Sequence, residues 1–320
     1  MRVSRRTVLA GLAAIAVFPP LSAAKAQDVL QVVATTGMIA DAARNIGGNL
    51  LEVRALMGPG IDPHAYRQTR TDIVAMAQAD LVLWHGLYLE AQMQEFLFTL
   101  EKEGRKIVAV AESLPHDKLI SHDSYTDKFD PHVWMNPTLW SQVVIAIRDA
   151  LIAAAPQHEA PFRANADRHL AELVKLANYA TEALATVPKT SRVLVTAHDA
   201  FNYFGTAYGF EVMGIQGIST DSEAGLQRMA QLVDMLLARN IKAVFVETSV
   251  ADRNIRALIE GAAAKGHAVK IGGELFSDAM GVAGTYEGTY IGMIDHNATI
   301  ITRALGGTAP ARGMANLLSG

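Results

Sequence analysis

The chain has 320 residues, a formal net charge of −4 and no cysteine. Without cysteine it can form no disulfide framework, thiolate metal site or thiol nucleophile. The acidic balance argues against nucleic acid or an anionic membrane surface as a partner. A chain of this length exceeds the size at which single cores usually stop growing, so two lobes are expected.

The first 26 residues have the layout of an export signal. Three arginines stand among the first six residues, residues 8–18 are apolar, and Ala-Lys-Ala at 24–26 offers a cleavage site. We therefore expect a signal peptide over 1–26 and a periplasmic protein that begins near Gln27. The adjacent arginines Arg5 and Arg6 also fit a twin-arginine signal, so the general and twin-arginine export routes both stay open. No later stretch approaches the roughly 20 apolar residues of a transmembrane helix.

Short apolar runs alternate with amphipathic stretches in the first half of the chain. Helical segments such as 38–46 and 71–78 separate predicted strands over 29–35, 51–56, 81–84 and 106–110. This βαβ rhythm is typical of a parallel sheet. The sequence therefore predicts a first α/β lobe over residues 27–155.

The same alternation returns after residue 190. Helices are predicted over 226–238, 254–265 and 291–305, and strands over 192–196, 211–215, 243–247 and 268–271. The pattern predicts a second α/β lobe, with its own parallel sheet, over residues 189–320.

One long helix is predicted between the two halves. From His158 to Leu184 no Gly or Pro occurs after Pro161, and apolar residues recur near helical spacing over about seven turns. The prediction is therefore two (β/α) lobes joined by a backbone helix over residues 156–188. Such a helix is stiffer than an extended crossover, so we expect only a small opening motion.

The tripeptide Asp-Pro-His occurs twice in the first lobe, at residues 62–64 and 130–132, each time after a predicted strand. Proline fixes its own φ and restricts the preceding Asp, so each imidazole has little backbone freedom to lose when a metal binds. A single loop histidine is more often a solvated side chain. The recurrence makes His64 and His132 candidate metal ligands together.

Both tripeptides are followed by sequences typical of helix starts. Thr69, with Asp72 three residues on, resembles a capping box, and Asn136 before Pro137 is typical of an N-cap followed by proline at the first helical position. Both histidines are therefore predicted just before helix N-termini.

Two further candidate ligands lie in the second half. His198 follows a predicted strand directly, and Asp278 follows a Gly-rich stretch after a strand predicted to end at Ile271. Open α/β sheets bind ligands beyond the carboxyl ends of their strands, so two facing lobes can bring these side chains to His64 and His132. Three imidazoles and one carboxylate suit Zn²⁺, whereas Ca²⁺ and Mg²⁺ prefer oxygen ligands.

Each candidate also has a plainer interpretation. His198 fits a buried core histidine equally well, and Asp278 is typical of a turn, with Asp295 and Glu223 as rivals for the acidic position. Glu247, at the end of an apolar strand, is interpreted either as the residue that orients a histidine ligand or as a paired buried acid. The histidines and acids of the 116–130 loop are interpreted as solvent-facing rather than as a metal-recruiting loop.

Five segments carry a resemblance to a known family. They are ATTGMI at 34–39, GIDPHAY at 60–66, DPHVWMN at 130–136, TAHDAFNYF at 196–204 and GGELFSD at 272–278. With these segments the chain resembles the solute-binding proteins of zinc and manganese ABC transporters over essentially all of residues 28–308.

The resemblance implies a metal site at the interface of the two lobes, with ligand roles for His64, His132, His198 and Asp278. It implies one zinc ion per chain, or manganese as the alternative, and an inner-membrane permease as the partner of a monomeric protein. Manganese or iron members often carry Glu at the position of His198, and zinc members often carry a long His-rich loop at 116–130. The chain departs from both patterns, although three imidazoles favour zinc.

Two other functions stay open on the sequence. A zinc hydrolase also holds its metal with such donors, but the chain has no His-Glu-x-x-His helix, nucleophile elbow, P-loop or Gly-x-Gly-x-x-Gly turn. A binding protein for an organic or chelated solute needs a larger pocket lined by aromatic residues and arginine. The sequence favours a carrier that is not an enzyme.

Overall fold

The structure is a computed structural model that describes residues 29–122, 125–221 and 225–319. The predicted signal peptide at 1–26 and the rival acid Glu223 lie outside the described residues. The first lobe contains a parallel sheet with the strand order β2-β1-β3-β4. Its strands are β1 (Leu30–Ala34), β2 (Leu51–Ala55), β3 (Leu81–Trp84) and β4 (Ile107–Ala109).

Four helices accompany this sheet, and the predicted caps explain where two of them begin. They are α1 (Gly37–Gly47), α2 (Arg70–Gln78), α3 (Gln94–Lys102) and α4 (Pro137–Ala154). Thr69 and Asp72 form the predicted capping box at α2, and the Asn136 side chain accepts the N–H of Thr138 at α4. The loops that carry His64 and His132 therefore end at fixed helix starts.

A helix of 27 residues, α5 (Glu159–Ala185), connects the two halves. Its length is about 40 Å at 1.5 Å per residue. Buried residues recur along one face and pack against α1, α4 and a C-terminal helix, α9 (Tyr290–Ala304). The predicted backbone helix is therefore present, and its buried stripe ties both lobes to a common support.

The second lobe is also built from parallel strands, but the one sheet predicted for it is divided into two ladders. The strands β5 (Val193–Thr196) and β6 (Glu211–Gly214) form one ladder, and β7 (Ala243–Glu247) and β8 (Lys270–Leu275) form another. The strands β5 and β7 lie beside each other. The accompanying helices are α6 (Asn202–Tyr208), α7 (Leu226–Ala238) and α8 (Arg253–Ala264), together with α9.

The prediction that the last strand ends at Ile271 is wrong, because β8 runs through Gly272 and Gly273 to Leu275. A Cβ on Gly273 would lie 2.4 Å from Cγ2 of Ile300, so α9 approaches too closely for any side chain here. Glycine inside a strand often marks such a close approach. The Gly pair is therefore part of the strand that leads toward Asp278.

One apolar core includes residues of both lobes. Among its fully buried members are Trp134 of the first lobe and Phe245 and Tyr290 of the second. The Trp134 indole donates to the backbone oxygen of Ser277 at 2.8 Å, and the Tyr290 hydroxyl donates to the backbone oxygen of Trp134 at 2.7 Å. These contacts limit how far the lobes can separate. Among the described helices, none is both long and apolar enough to cross a membrane.

Candidate metal centre

The four predicted ligands converge between the lobes. His64 follows β2, His132 follows β4, His198 follows β5 and Asp278 follows β8, so all four lie beyond the carboxyl ends of strands. One donor atom from each lies within 4.8 Å of the others. All four residues are buried, with at most 3% of their surface exposed. The expectation that facing lobes bring these side chains together agrees with this geometry.

The spacing of the donor atoms matches a small tetrahedral shell. The Nε2 of His132 lies 3.2 Å from the Nε2 of His64, 3.4 Å from the Nε2 of His198 and 3.3 Å from Oδ1 of Asp278. The Nε2 of His198 lies 3.2 Å from Oδ2 of Asp278. Donors placed 2.0–2.1 Å from a tetrahedral Zn²⁺ are separated by about 3.3 Å. Four of the donor pairs therefore have the spacing of a zinc shell, and all four donors lie within 4.8 Å of one another.

The two Asp-Pro-His loops hold their histidines by the same backbone contact. Oδ1 of Asp62 accepts the N–H of His64 at 2.9 Å, and Oδ1 of Asp130 accepts the N–H of His132 at 2.9 Å. Only Asp130 also reaches the ring, where its Oδ1 accepts from Nδ1 of His132 at 2.6 Å. Among the described residues, no carboxylate holds the ring of His64 in this way.

Glu247, at the end of β7, holds His198 as Asp130 holds His132. Oε1 accepts the backbone N–H of His198 at 2.9 Å, and Oε2 accepts from Nδ1 at 2.5 Å. A carboxylate on Nδ1 fixes the ring and leaves Nε2 free to face a metal. Of the two interpretations of Glu247, the contacts favour the one in which it orients a histidine.

The ionisation of the centre follows from these contacts. Burial lowers the pKa of His132, but the carboxylates of Asp130 and Asp278 raise it to about 9. Burial opposes the charge on His198 too, yet Asp278 and Glu247 raise its pKa well above the usual value. Burial lowers the pKa of His64 to about 3, because the nearby carboxylate of Asp278 offsets the effect of burial only in part. Without metal, His132 and His198 are therefore protonated at neutral pH, and His64 is neutral.

Asp278 is poised as an anionic acceptor. Burial raises its pKa, but His198 and His132 together hold it well below the usual value. Its Oδ1 is buried and lies near Nε2 of His132 without hydrogen-bond geometry, so this atom has no hydrogen-bond partner among the described residues. Oδ2 accepts from the hydroxyl of Ser249 at 3.3 Å, and that hydroxyl lies 2.9 Å from Oγ of Ser277. A buried, anionic carboxylate whose Oδ1 has no regular hydrogen bond fits a site for a cation.

The other candidates lie elsewhere. The carboxylate of Asp295 accepts from the hydroxyls of Tyr286 and Thr299 and from the N–H of Met314, so it is committed away from the centre. None of the described histidines and acids of the 116–130 loop belongs to the metal-ligating group. The ring contact of Asp130 was not predicted, although an Asp two residues before a candidate His was a usable signal. The contact of Ser249 had no such signal.

The fold and the centre define a class: two-lobed α/β proteins with three histidines and one carboxylate buried between the lobes. The model of the family described as "Zinc-uptake complex component A periplasmic" matches residues 32–304. The chain belongs to this family. The resemblance drawn from the five sequence segments is therefore confirmed.

Two relatives match almost the whole chain. The manganese-binding lipoprotein MntA of Bacillus subtilis (strain 168) is 50% identical over 285 residues, which cover 89% of this chain and 92% of MntA. The zinc-binding protein TroA of Treponema pallidum (strain Nichols) is 45% identical over 274 residues, which cover 86% of this chain and 88% of TroA. These relatives are named for different metals, so their names do not select one.

A solved structure confirms the predicted fold class. The periplasmic zinc-binding protein TroA from Treponema pallidum superimposes with a TM-score of 0.84 at 45% identity, and the match covers 86% of this chain and 99% of that one. The two-lobed architecture with parallel strands and a long connecting helix is therefore shared.

Proposed function

We propose that this protein is the exported binding component of an ABC importer. It captures one divalent transition metal ion, zinc with manganese as the alternative, between its lobes and delivers it to a membrane permease. The ligands are His64, His132, His198 and Asp278. The observation that carries the proposal is the separation of 3.2–3.4 Å between neighbouring donor atoms, which suits one shared ion and leaves no room for an organic solute.

Capture follows from the ionisation of the centre. A metal needs neutral imidazoles, so binding displaces the protons from His132 and His198, while His64 and Asp278 are already in their binding forms. Asp130 and Glu247 keep the two deprotonated rings oriented through Nδ1. Because the centre is buried and its orientation is fixed beforehand, little order is lost when the ion arrives.

Three nitrogen donors and one oxygen favour zinc over manganese. The Irving–Williams order places zinc above manganese at a given site of this kind, so supply outside the cell decides how far manganese competes. Manganese prefers more oxygen ligands than the centre offers. Zinc is therefore the ion that we expect in the purified protein.

The proposed role is transport without a catalytic step. A catalytic zinc keeps one open position for water, whereas three histidines and one carboxylate from the protein supply the four donors of a tetrahedral shell. Cobalt substituted for zinc distinguishes the two cases, because its visible absorption responds to coordination number. A spectrum that shifts on adding small anions, which replace bound water, would favour a hydrolase.

We further propose that the mature protein is free in the periplasm as a monomer. The chain has no cysteine that could carry a lipid, which sets it apart from the relative named as the lipoprotein MntA. The export signal over 1–26, the lobes over 27–155 and 189–320 and the linking segment over 156–188 are parts of this proposal. Mass spectrometry of the exported protein tests the cleavage site.

The test of function begins with elemental analysis of protein purified from its native periplasm, followed by titration of the stripped protein with zinc and manganese. One metal ion per chain is expected. His132→Ala, His198→Ala and Asp278→Ala should each abolish tight binding, and His116→Ala, at an exposed histidine, serves as the matched control. Full stoichiometry and affinity in the first three variants would show that the ligand assignment is wrong.

A further inference from the structure

Each Asp-Pro-His loop also reaches the opposite lobe through its aspartate. Oδ2 of Asp130 accepts from the side-chain amide of Asn202 at 3.1 Å, and Oδ2 of Asp62 accepts from the hydroxyl of Thr220 at 2.5 Å. In both loops Oδ1 holds the backbone N–H of the ligand histidine. One carboxylate therefore joins each histidine of the first lobe to a residue of the second.

The bridge made by Asp130 is buried, and further hydrogen bonds surround it. Asp130 is fully buried, and its backbone oxygen accepts from the hydroxyl of Tyr203 at 2.9 Å. The same hydroxyl accepts the N–H of Ile120 at 3.0 Å. The buried ring of His85 meets the backbone oxygen of Pro131 through Nε2 at 2.7 Å. This bridge is therefore buried and held by several hydrogen bonds.

The bridge made by Asp62 stands at the rim. Asp62 and Thr220 are both partly exposed, so water can compete for their hydrogen bond. The ring of His64 is not held by a carboxylate among the described residues, so its position depends on the backbone that Asp62 holds. A substitution at Thr220 therefore affects His64 through the side chain of Asp62 alone.

We propose that the hydrogen bond between Thr220 and Asp62, here called the rim clasp, controls release of the ion. Thr220 is a positioning residue that acts through Asp62 on His64. This inference rests on the proposed function. When the rim clasp opens, the loop of His64 can move away, while His132 and His198 stay fixed by Asp130 and Glu247. The ion then loses one of its four ligands and can leave.

The rim clasp affects release more than capture. It must break before the ion departs, but it can close after the ion has met the other ligands. Differences in affinity between variants of one site usually lie in the dissociation rate. Loss of the clasp should therefore raise the dissociation rate and leave the association rate almost unchanged.

The experiment measures release of zinc from the loaded full-length mature protein into an excess of a chromophoric chelator, by stopped flow. Thr220→Val removes the hydroxyl and keeps the shape. We expect dissociation about tenfold faster than in the wild type, since a hydrogen bond to a charged group is lost. Thr220→Ser keeps the hydroxyl and should restore the wild-type rate. Thr181→Val, at an exposed threonine of α5 whose hydroxyl bonds to the helix backbone, is the matched control.

A double-mutant cycle identifies the partner of the hydroxyl. Once Asp62→Ala has removed the acceptor, adding Thr220→Val should change the dissociation rate by less than about twofold. An equally large effect of Thr220→Val in both backgrounds would overturn the proposal, as would wild-type release from Thr220→Val itself.

Hydrogen exchange of the wild-type protein provides a second measurement that needs no variant. Zinc should protect the amides of residues 61–65 and 217–221 together, because the rim clasp couples the two loops. Protection of the first loop alone would also overturn the proposal. If the wild-type protein bound no zinc, the proposed function would fall with it. If the wild-type protein bound one zinc ion per chain and Thr220→Val released it at an unchanged rate, only the rim-clasp proposal would be overturned.

Discussion

The two Asp-Pro-His loops share a sequence and a backbone hydrogen bond, yet they leave their histidines in opposite states. In the second loop Asp130 reaches the ring, and the pKa of His132 rises to about 9. In the first loop Asp62 turns toward Thr220 instead, and burial lowers the pKa of His64 to about 3. The tripeptide fixes the backbone in both loops, but only Asp130 also reaches its ring, where it and Asp278 together raise the pKa of His132.

In the second lobe a carboxylate also holds the ring of His198 and raises its pKa, but this carboxylate comes from a different strand. His198 has no Asp-Pro-His sequence, but Glu247 arrives from a neighbouring strand and holds both its N–H and its Nδ1. The contrast is thus between two rings held by carboxylates, one in each lobe, and a third ring that is not. From this contrast we predict how zinc affinity depends on pH and how strongly substitutions around each ring weaken zinc binding.

The largest effect should be the dependence of zinc affinity on pH. At pH 7 His132 and His198 are each protonated on both ring nitrogens, and zinc displaces one proton from each. His64 is already neutral, so zinc displaces no proton from it. About two protons are therefore released, and affinity rises about a hundredfold for each unit of pH near neutrality. Calorimetry in buffers of different ionisation enthalpy counts these protons directly. A count of three, or of none, would contradict the difference between His64 and the other two rings.

The next effect compares the two aspartates. Asp130→Asn removes the charge behind the ring of His132 and should weaken zinc binding by about 10–100-fold, as is usual when the partner of a ligand histidine is altered. Asp62→Asn can still accept the N–H of His64 and bond to Thr220, so it should cost only about threefold. Competition with a chelator measures both. Equal losses would mean that the two loops work alike after all.

A smaller effect concerns the stability of the metal-free protein. Because the folded pKa of His132 is raised, its contribution is complete below the unfolded value of 6.5 and is lost as pH rises through about 9. The loss amounts to about 3 kcal/mol, or about 5 °C in melting temperature, for a protein of this size. Thermal melts between pH 6 and 9.5 test this. Zinc-loaded protein, in which the ring is already deprotonated, should not show the same decline.

The smallest effect should follow Ser249→Ala. The Ser249 hydroxyl donates to Oδ2 of Asp278, and removing it should weaken zinc binding about threefold, the value of one ordinary hydrogen bond. The cobalt spectrum should change as well, because both oxygens of Asp278 become available to the ion. If affinity and spectrum both matched the wild type, Ser249 would have no influence on the ligand.

Much of the fold follows from local sequence, and the exceptions have tertiary causes. The strands β3 and β7 and the helix α7 have the predicted bounds, since their apolar patterns are bounded clearly. The predicted end of β8 was wrong because a Gly pair in a sequence is typical of a loop. Only the folded structure shows that Ile300 of α9 packs closely against Gly273. The pairing of the second lobe's strands into two ladders likewise depends on contacts that no local pattern encodes.

The candidate ligands were predictable because each follows the carboxyl end of a strand and the family resemblance selects among them. Their convergence agrees with that prediction, while their role as ligands stays a prediction that titration tests. The partners Asp130, Ser249 and Thr220 were not predicted. The Thr220 hydroxyl meets Asp62 across 158 positions of the chain, and only the folded loops reveal such a pair.

The protonated rings of the metal-free centre have a consequence for the energetics of exchange. Two protons leave as one dication enters, so the total charge enclosed between the lobes is the same before and after. An electroneutral swap avoids burying new charge, which is otherwise the main penalty for placing an ion in a protein interior. The equilibrium should therefore respond strongly to acidity and only weakly to ionic strength.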